Sequence, residues 1–465
     1  MPRQFESYEH AIQFLFGRIN YERIPADNLS VRDFKLERMR RLLRLLGNPQ
    51  ETIPAVHIAG TKGKGSTAAM IASMLAEANL RVGLFTSPHI TDFEERLTVN
   101  GEPPTPAQLV ELVNVVAQAV IAMDRGPEFE HPTFFEVVTA LGWLYFAQQR
   151  VDLAVLEVGL GGRLDSTNVC RPEVTVITNI SRDHVDILGS ELSQIAREKA
   201  GIVKPGVPLV SGVLHPEARP VIASKAAAMQ APLLQLGADF DFRYVPHAWE
   251  SAKTTGIMAD LDVEIGASRF EAIPLTLAGQ HQGRNAALAV VTIEQLNGRG
   301  WHVPPDAVCR GMSAVRWPLR FEIISERPML IVDAAHNRAS VEALVATLGS
   351  LFPDRCRTLI FGATRDKDVA GMLRELLPLF SNIVFTQYRN NPRALPLDDL
   401  CKIARSLGVL PLHAASDPGI AWEQAVRLSE PDEVICGTGS LFIAAELREL
   451  VTTGKRSGTD SAVEV

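Results

Sequence analysis

Cysteine is scarce in this chain. Its 465 residues hold five, Cys170, Cys309, Cys356, Cys401 and Cys436, far apart and with no CxxC pair. An odd, scattered set excludes a disulfide frame and a zinc ribbon and suits reduced thiols in the cytoplasm. Positive charge is also short: 46 Lys and Arg against 54 Asp and Glu leave a formal net charge of −8. General nucleic-acid binding, which needs a basic surface, is therefore not expected, although local basic patches around an anionic substrate stay open. No uninterrupted apolar stretch reaches the length of a membrane span, so no membrane contact is expected. The first residues, Met-Pro-Arg-Gln-Phe-Glu-Ser, lack the apolar segment of a signal peptide. What remains, 46% hydrophobic and 22% charged residues, is the make-up of a soluble globular protein. The length is too great for one ordinary core and implies two or three domains.

The strongest signal is His57-Ile-Ala-Gly-Thr-Lys-Gly-Lys-Gly-Ser-Thr67, between an apolar run, Thr52–Ile58, and a helix-forming run from Thr67. Strand, glycine loop and helix together cradle phosphate: the glycines let N–H groups converge, and the helix start adds its dipole. Gly60, Thr61, Lys62, Gly63, Lys64, Gly65, Ser66 and Thr67 are the expected nucleotide contacts. Lys64 places a charge on the terminal phosphates, and Ser66 or Thr67 offers a hydroxyl to Mg²⁺. Gly65 between lysine and hydroxyl departs from the strict P-loop spacing.

The first half alternates strands, at Ile53–Ile58, Arg81–Thr86, Leu153–Val158, Val174–Asn179 and Pro208–Ser211, with helices at Thr67–Ala78, Ala107–Ile121, Phe134–Gln149 and Ser193–Val203. This order predicts an α/β fold with a P-loop-containing, doubly wound, mostly parallel sheet, whose ligands sit at the carboxyl ends of strands. Phe240–Ile273 reads as a small β-ribbon and Gly283–Leu296 as a helix. Glycines, prolines and Trp317-Pro318 mark residues 298–317 as a linker between a 1–297 domain and a smaller α/β domain at 318–452, with a flexible tail at 453–465. An amphipathic helix, Phe34–Leu46, carries arginines that suggest an anion site. The plainer reading is a solvated face on a packed helix.

Further constellations follow strands. Glu157, in Glu-Val-Gly-Leu-Gly-Gly-Arg, ends one strand where a carboxylate can hold Mg²⁺. His184, after Thr178-Asn-Ile-Ser-Arg-Asp, and Lys199, in Arg-Glu-Lys-Ala-Gly, gain no role from spacing alone. Asn285 opens a helix, Arg320 follows the linker, and Asp333-Ala-Ala-His-Asn337 ends the first strand of the second domain. Asp333 read alone is a helix cap.

In this order the motifs resemble the folylpolyglutamate synthase/dihydrofolate synthase family of the Mur ligase superfamily, from about Leu36 to Leu450. The likeness rests on the phosphate loop, Thr86-Ser-Pro-His89, Thr133-Phe-Phe-Glu136, the Glu157 segment, Asp183-His184, Glu198–Gly201, His281-Gln282 with Asn285, Trp317-Pro with Arg320, and Asp333 with His336-Asn337. It implies a Mur ligase-like central domain followed by a smaller α/β C-terminal domain. It also implies that Ser87, Glu157 and His184, with Ser66, hold one or two Mg²⁺ ions, K⁺ being a further candidate. Lys199 matches the lysine that the family carbamylates, and a carbamate would supply an anionic ligand where an ammonium would repel the metal. Asn285, Arg320 and Asp333 would contact ATP. Thr133, Phe134, Phe135 and Glu136, with Leu164, Asp165 and Ser166, would lie near the pterin. His336 and Ser440 would help to bind glutamate, and His336 is a candidate base. The chain departs from the family in Lys62, where Asn is usual, in Phe93-Glu-Glu-Arg96, and in Asp333-Ala334 for Asp-Gly.

The activity implied is an ATP-dependent amide ligase adding L-glutamate to dihydropteroate or a reduced folate through an acyl phosphate, in a cytoplasmic monomer. Closure of the second domain would exclude water. A Mur ligase acting on another carboxylate, such as a UDP-linked sugar, is the nearest rival, but 59 residues before Gly60 are few for a UDP-binding domain. A P-loop NTPase switch would turn over ATP without glutamate. A non-catalytic folate-binding module is opposed by Lys64, Glu157 and His184.

Overall fold

The computed structural model describes residues 5–22, 35–126, 131–389, 393–409 and 413–454. The start of the amphipathic helix at Phe34 and residues 455–465 of the expected tail lie outside them. Two compact units emerge. One holds Met1–Arg243, Leu261–Pro274 and Gln282–Val315; the other holds Tyr244–Asp260, Leu275–His281 and Arg316–Val465. The chain thus passes between units several times, where the sequence suggested a single junction over residues 298–317.

The first unit is built on seven strands: β1 (Pro54–Ala59), β2 (Val82–Phe85), β3 (Leu97–Val99), β4 (Leu153–Glu157), β5 (Arg171–Ile177), β6 (Leu209–Ser211) and β7 (Leu233–Gln235). Their order is β3-β2-β4-β1-β5-β6-β7, parallel except for β3, which runs antiparallel to β2. All five residues of β4 are buried, the mark of a strand covered on both faces. One core on this sheet gathers Phe85, Phe134, Trp143 and Phe146, and another gathers Ile177, Ile195 and Ile202. Three further strands, β8 (Phe240–Pro246), β9 (Ala259–Ile265) and β10 (Ser268–Leu275), form a small sheet where a ribbon was expected, with the helix Trp249–Thr255 between the first two.

The stretch read as a linker is not extended throughout. Pro305–Ala314 form a helix packed on the helix Lys64–Glu77, and a Cβ on Gly311 would stand 2.5 Å from Met74 Cα. Proline at its start and a glycine at the crossing look like loop chemistry in sequence, yet here they begin a helix and permit close contact.

The second unit carries β11 (Glu322–Glu326), β12 (Met329–Val332), β13 (Arg357–Phe361), β14 (Asn382–Phe385), β15 (His413–Ala414) and β16 (Val434–Thr438), ordered β11-β12-β16-β13-β14-β15. Only β11 is antiparallel to its neighbour. Its core holds Leu348, Phe361, Leu373 and Phe385.

One helix bears on the sequence reading of membrane length. Pro106–Asp124 has 19 residues and a mean hydropathy of 1.5 in its most apolar window, long and apolar enough to cross a membrane. Gln108, Glu111, Asn114 and Gln118 interrupt it, while Leu109, Leu112, Val116 and Val120 are fully buried in the core.

Candidate functional site

Strand order brings four carboxyl ends of the first sheet side by side, from β2, β4, β1 and β5. Each delivers a motif. β1 gives way to Gly60–Gly63 and then to the helix Lys64–Glu77. Gly63, the residue before that helix, has φ +82 and sits against Asn285, whose Oδ1 would be 2.3 Å from a Cβ there. Asn285 is therefore held against the loop, its amide donating to Gln282 Oε1 at 2.9 Å. The first bond into the helix is Thr67 N–H to the Gly63 carbonyl, so the N–H groups of Lys64, Gly65 and Ser66 lie ahead of it and are available to an anion.

Glu157, last residue of β4, pairs in register with Ile58, just before the loop. Its Oε1 lies 3.7 Å from Lys64 Nζ, and its Oε2 accepts the Ser87 N–H at 3.2 Å. Ser66 and Lys199 are buried beside them, and the Lys199 amine donates to the Gly60 carbonyl at 2.9 Å. Burial, and then the positive charge of Lys64, bring that amine down to about 7, with Asp183 opposing.

The structure shows a latch that sequence reasoning missed. Asn179 accepts the N–H groups of Thr61, through its carbonyl, and of Lys62, through its side chain. The Thr178 hydroxyl donates to the Lys62 carbonyl at 2.6 Å, and Thr61 Oγ1 bonds with Ser181. The unusual Lys62 ammonium reaches Asp183 at 2.8 Å. The signal was the Thr178–His184 motif itself, but only the pairing of β1 with β5 reveals that its polar residues hold the loop. His184 stands at the end of this segment with a half-exposed ring, 4.0 Å from Asp183 Oδ1.

The residues expected near the pterin are unequally placed. Thr133 caps the helix Phe134–Gln148 in a reciprocal pair with Glu136, whose carboxylate also meets buried Arg38 at 2.7 Å. Phe134 is fully buried and stacked on Phe16 at 5.2 Å. Asp165 accepts from Leu160 N–H and from Thr167, while Ser166 bonds with Thr139 at 2.6 Å. Phe135 and Leu164 are only partly buried.

In the second unit, Asp333 follows β12 and accepts the Phe321 and Ala335 N–H groups, each at 2.8 Å. Desolvation raises its carboxyl and the Arg320 charge draws it back. Arg320 lies between Leu319 and Phe321, both with left-handed backbone at φ +58 and +46, an unfavourable conformation that Asp333 and Glu322 fasten. His336 Nδ1 meets the Ala334 carbonyl at 2.8 Å, and because a carbonyl only accepts, Nδ1 carries a proton. Ser440 caps the helix Leu441–Thr453 and is almost wholly buried.

Glu157 could offer a hard oxygen to a divalent cation such as Mg²⁺, with Ser87, whose N–H it accepts, and buried Ser66 as further oxygen-bearing candidates. Among the described residues no three His, Cys, Asp or Glu side chains form a group that could hold a metal.

Comparison with known proteins bears on the family of the chain. Residues 58–293 match the Mur ligase middle domain, and residues 319–441 match the Mur ligase glutamate ligase domain. The dihydrofolate synthase/folylpolyglutamate synthase of Bacillus subtilis (strain 168) is 37% identical over 447 residues, 96% of this chain and 99% of the relative. The Mycobacterium tuberculosis folylpolyglutamate synthase, solved with ADP and AMPPCP, is 32% identical with a TM-score of 0.85, over 98% of this chain and 100% of that one. A solved FPGS–AMPPCP–folate complex is 32% identical with a TM-score of 0.78, over 96% of this chain and 99% of that one. This chain belongs to the folylpolyglutamate synthase/dihydrofolate synthase family of Mur ligases.

Proposed function

We propose that the chain is an ATP-dependent amide ligase that joins L-glutamate to the carboxylate of a folate or of dihydropteroate. One observation carries the reading: Lys64 and Glu157 meet at 3.7 Å at the mouth of a glycine loop, beside the buried amine of Lys199. A cation, a metal-binding carboxylate and unpaired helix N–H groups together suit a nucleoside triphosphate.

A substrate carboxylate oxygen attacks the γ-phosphorus of ATP, the bond to the β-phosphate oxygen breaks, and an acyl phosphate and ADP result. The glutamate amine, having lost a proton, attacks the acyl carbon and expels inorganic phosphate. Carboxylate oxygen is a poor leaving group and phosphate a good one, so no protein nucleophile is needed. Lys64 and the N–H groups of Lys64, Gly65 and Ser66 hold the phosphates in line, and a guanidinium charge is assigned to Arg320 beside the Lys64 ammonium charge. Asn285 and Asp333 are assigned to the nucleotide. Glu157, Ser66 and Ser87, with His184 and a carbamate on Lys199, would hold Mg²⁺, which neutralises charge on the transferring phosphoryl group when bound. The pterin is placed beside Phe135 and Leu164, with Thr133, Glu136, Asp165 and Ser166 shaping that wall from within. His336 is assigned to glutamate, with Nε2 as its base, and Ser440 sets the helix start beside it. We place the enzyme in the cytoplasm as a monomer, which suits its five free cysteines.

ADP release with L-glutamate and either dihydropteroate or tetrahydrofolate, with product mass recorded, tests the reading. A gain of one glutamyl unit on dihydropteroate gives dihydrofolate synthase activity, and a gain on tetrahydrofolate gives the polyglutamylating one. Turnover stimulated by neither pterin, under conditions where ATP binds, overturns the folate assignment.

A further inference from the structure

A cavity of about 340 Å³ lies in the first unit, lined by Arg40 and Arg44, Asn48 and Gln50, Asn168 and Lys204, with Glu51, Val169 and Cys170. Its place in the fold separates it from the nucleotide. The turn Pro49–Glu51 leads into β1, and Asn168–Cys170 lead into β5, so the cavity is at the amino ends of the two strands whose carboxyl ends hold the phosphate loop. The six residues of β1 put roughly 17–20 Å between the two ends.

Three cations face this space, and among the described residues Glu51 is the one carboxylate on its lining. Glu37 lies off the lining and meets Arg44 at 3.3 Å and Arg40 at 3.5 Å on the exposed face of their helix. In a chain of net charge −8, such a concavity is a local reversal of sign. Lys204 is turned inward, donating to Asn168 Oδ1 at 2.6 Å and to its carbonyl at 3.1 Å. Burial lowers its ammonium below the usual lysine range, and Arg40 and Lys225 push the same way while Cys170 opposes. Gln50 packs into the wall of the cavity: it is 95% buried and its Nε2 donates to Asn48 Oδ1 at 3.3 Å.

We propose that this cavity is a second anion-binding site, taking a small molecule that carries more than one carboxylate or phosphate oxygen. The oxygens pair with Arg40, Arg44 and Lys204. A hydrogen phosphate ion and a γ-glutamyl oligopeptide, with its carboxylates, share this chemistry. Engagement of Lys204 acts on Asn168, whose amide also ties the Arg163 carbonyl to that of Gly201, next to the turn that carries Lys199.

The test is calorimetric titration of the full chain saturated with a non-hydrolysable ATP analogue, with inorganic phosphate in one arm and γ-glutamylglutamate in the other. At least one probe binds, and Arg40→Ser with Arg44→Ser weakens that binding by roughly tenfold or more at unchanged melting temperature. Both arginines are more than half exposed, so the fold does not depend on them. Loss in the phosphate arm alone assigns the site to phosphate, and loss in the glutamyl arm alone assigns it to oligocarboxylates. No binding of either probe, or binding in the double variant equal to that of the parent, overturns the proposal. Because nothing is turned over, the result is independent of the ligase reading.

Discussion

The Lys199 amine donates to the Gly60 carbonyl at 2.9 Å, so a buried lysine at the end of the helix Leu192–Lys199 braces the first residue of the phosphate loop. An ammonium there is opposed by desolvation and by Lys64 and Lys62, which bring it to about 7. The neutral amine is the form that reacts with carbon dioxide, and its share grows as pH rises through that value. Lys199→Ala is expected to lose activity and to regain part of it with added short carboxylates. Bicarbonate is expected to raise the activity of the parent more at pH 8 than at pH 6, roughly one unit either side of that pKa. Full activity of the alanine variant without rescue removes the carbamate from the mechanism.

Lys64 is the loop cation held toward Glu157 and the helix start, whereas Lys62 pairs with Asp183. Lys64→Ala leaves the packing of the helix intact, since alanine is a better helix former and the side chain is at the first turn. Its effect falls on phosphoryl transfer, with an expected loss of about 10²–10³ in kcat, the usual scale for one preorganised charge contact. Single-turnover measurement of ADP formation checks this, and near-normal ligation with an unchanged melting curve would remove Lys64 from the phosphate site.

Gly63 is required twice over, by φ +82 and by the nearness of Asn285 Oδ1 to where a Cβ would stand. Gly63→Ala is expected to cost about 1–2 kcal/mol in backbone conformation alone, besides the clash. Asn285→Gly in the same chain relieves the clash and not the backbone cost. Melting curves of the two singles and the double should therefore show partial recovery, and simple additivity would mean that the two residues do not touch.

Much of this was legible because parallel strands are buried on both faces and announce themselves as short apolar runs. β1, β2 and β4 fall within a few residues of where those runs place them. The three-residue strands β3 and β7 carry too few positions for a period, and β11 is found by its pairing with β12 rather than by any run of its own. Arg38 looks like one more arginine on a solvated helix face, yet it is buried against Glu136. A charged residue reads as exposed until its partner, 98 residues away, is in place. The same limit hid the Asn179 latch: its acceptor role depends on the neighbouring strand, not on spacing along its own. Lys199 and Glu157 gained a shared site only once β4 and β1 were adjacent.

His57, inside β1, is fully buried, and its Nε2 lies 2.8 Å from Thr167 Oγ1. Thr167 gives its own proton to Asp165, so the ring donates from Nε2 and is neutral, with Nδ1 left without a partner among the described residues. Burial, aided by Lys204, lowers its pKa from 6.5 to about 3. Between those values the unfolded chain takes up a proton that the folded chain refuses. The stability contributed is whole above pH 6.5, falls as pH drops below it, and is fully lost near pH 3. At pH 5 the loss amounts to about 2 kcal/mol relative to pH 7.5. His57→Gln keeps a donor toward Thr167 and cannot be protonated. Urea unfolding of parent and variant at both pH values isolates the imidazole, because every other titrating group is common to the two chains. The parent is expected to lose about 2 kcal/mol more than the variant over that interval. Equal losses would mean that the ring is protonated within the fold and that the β1 core admits a charge.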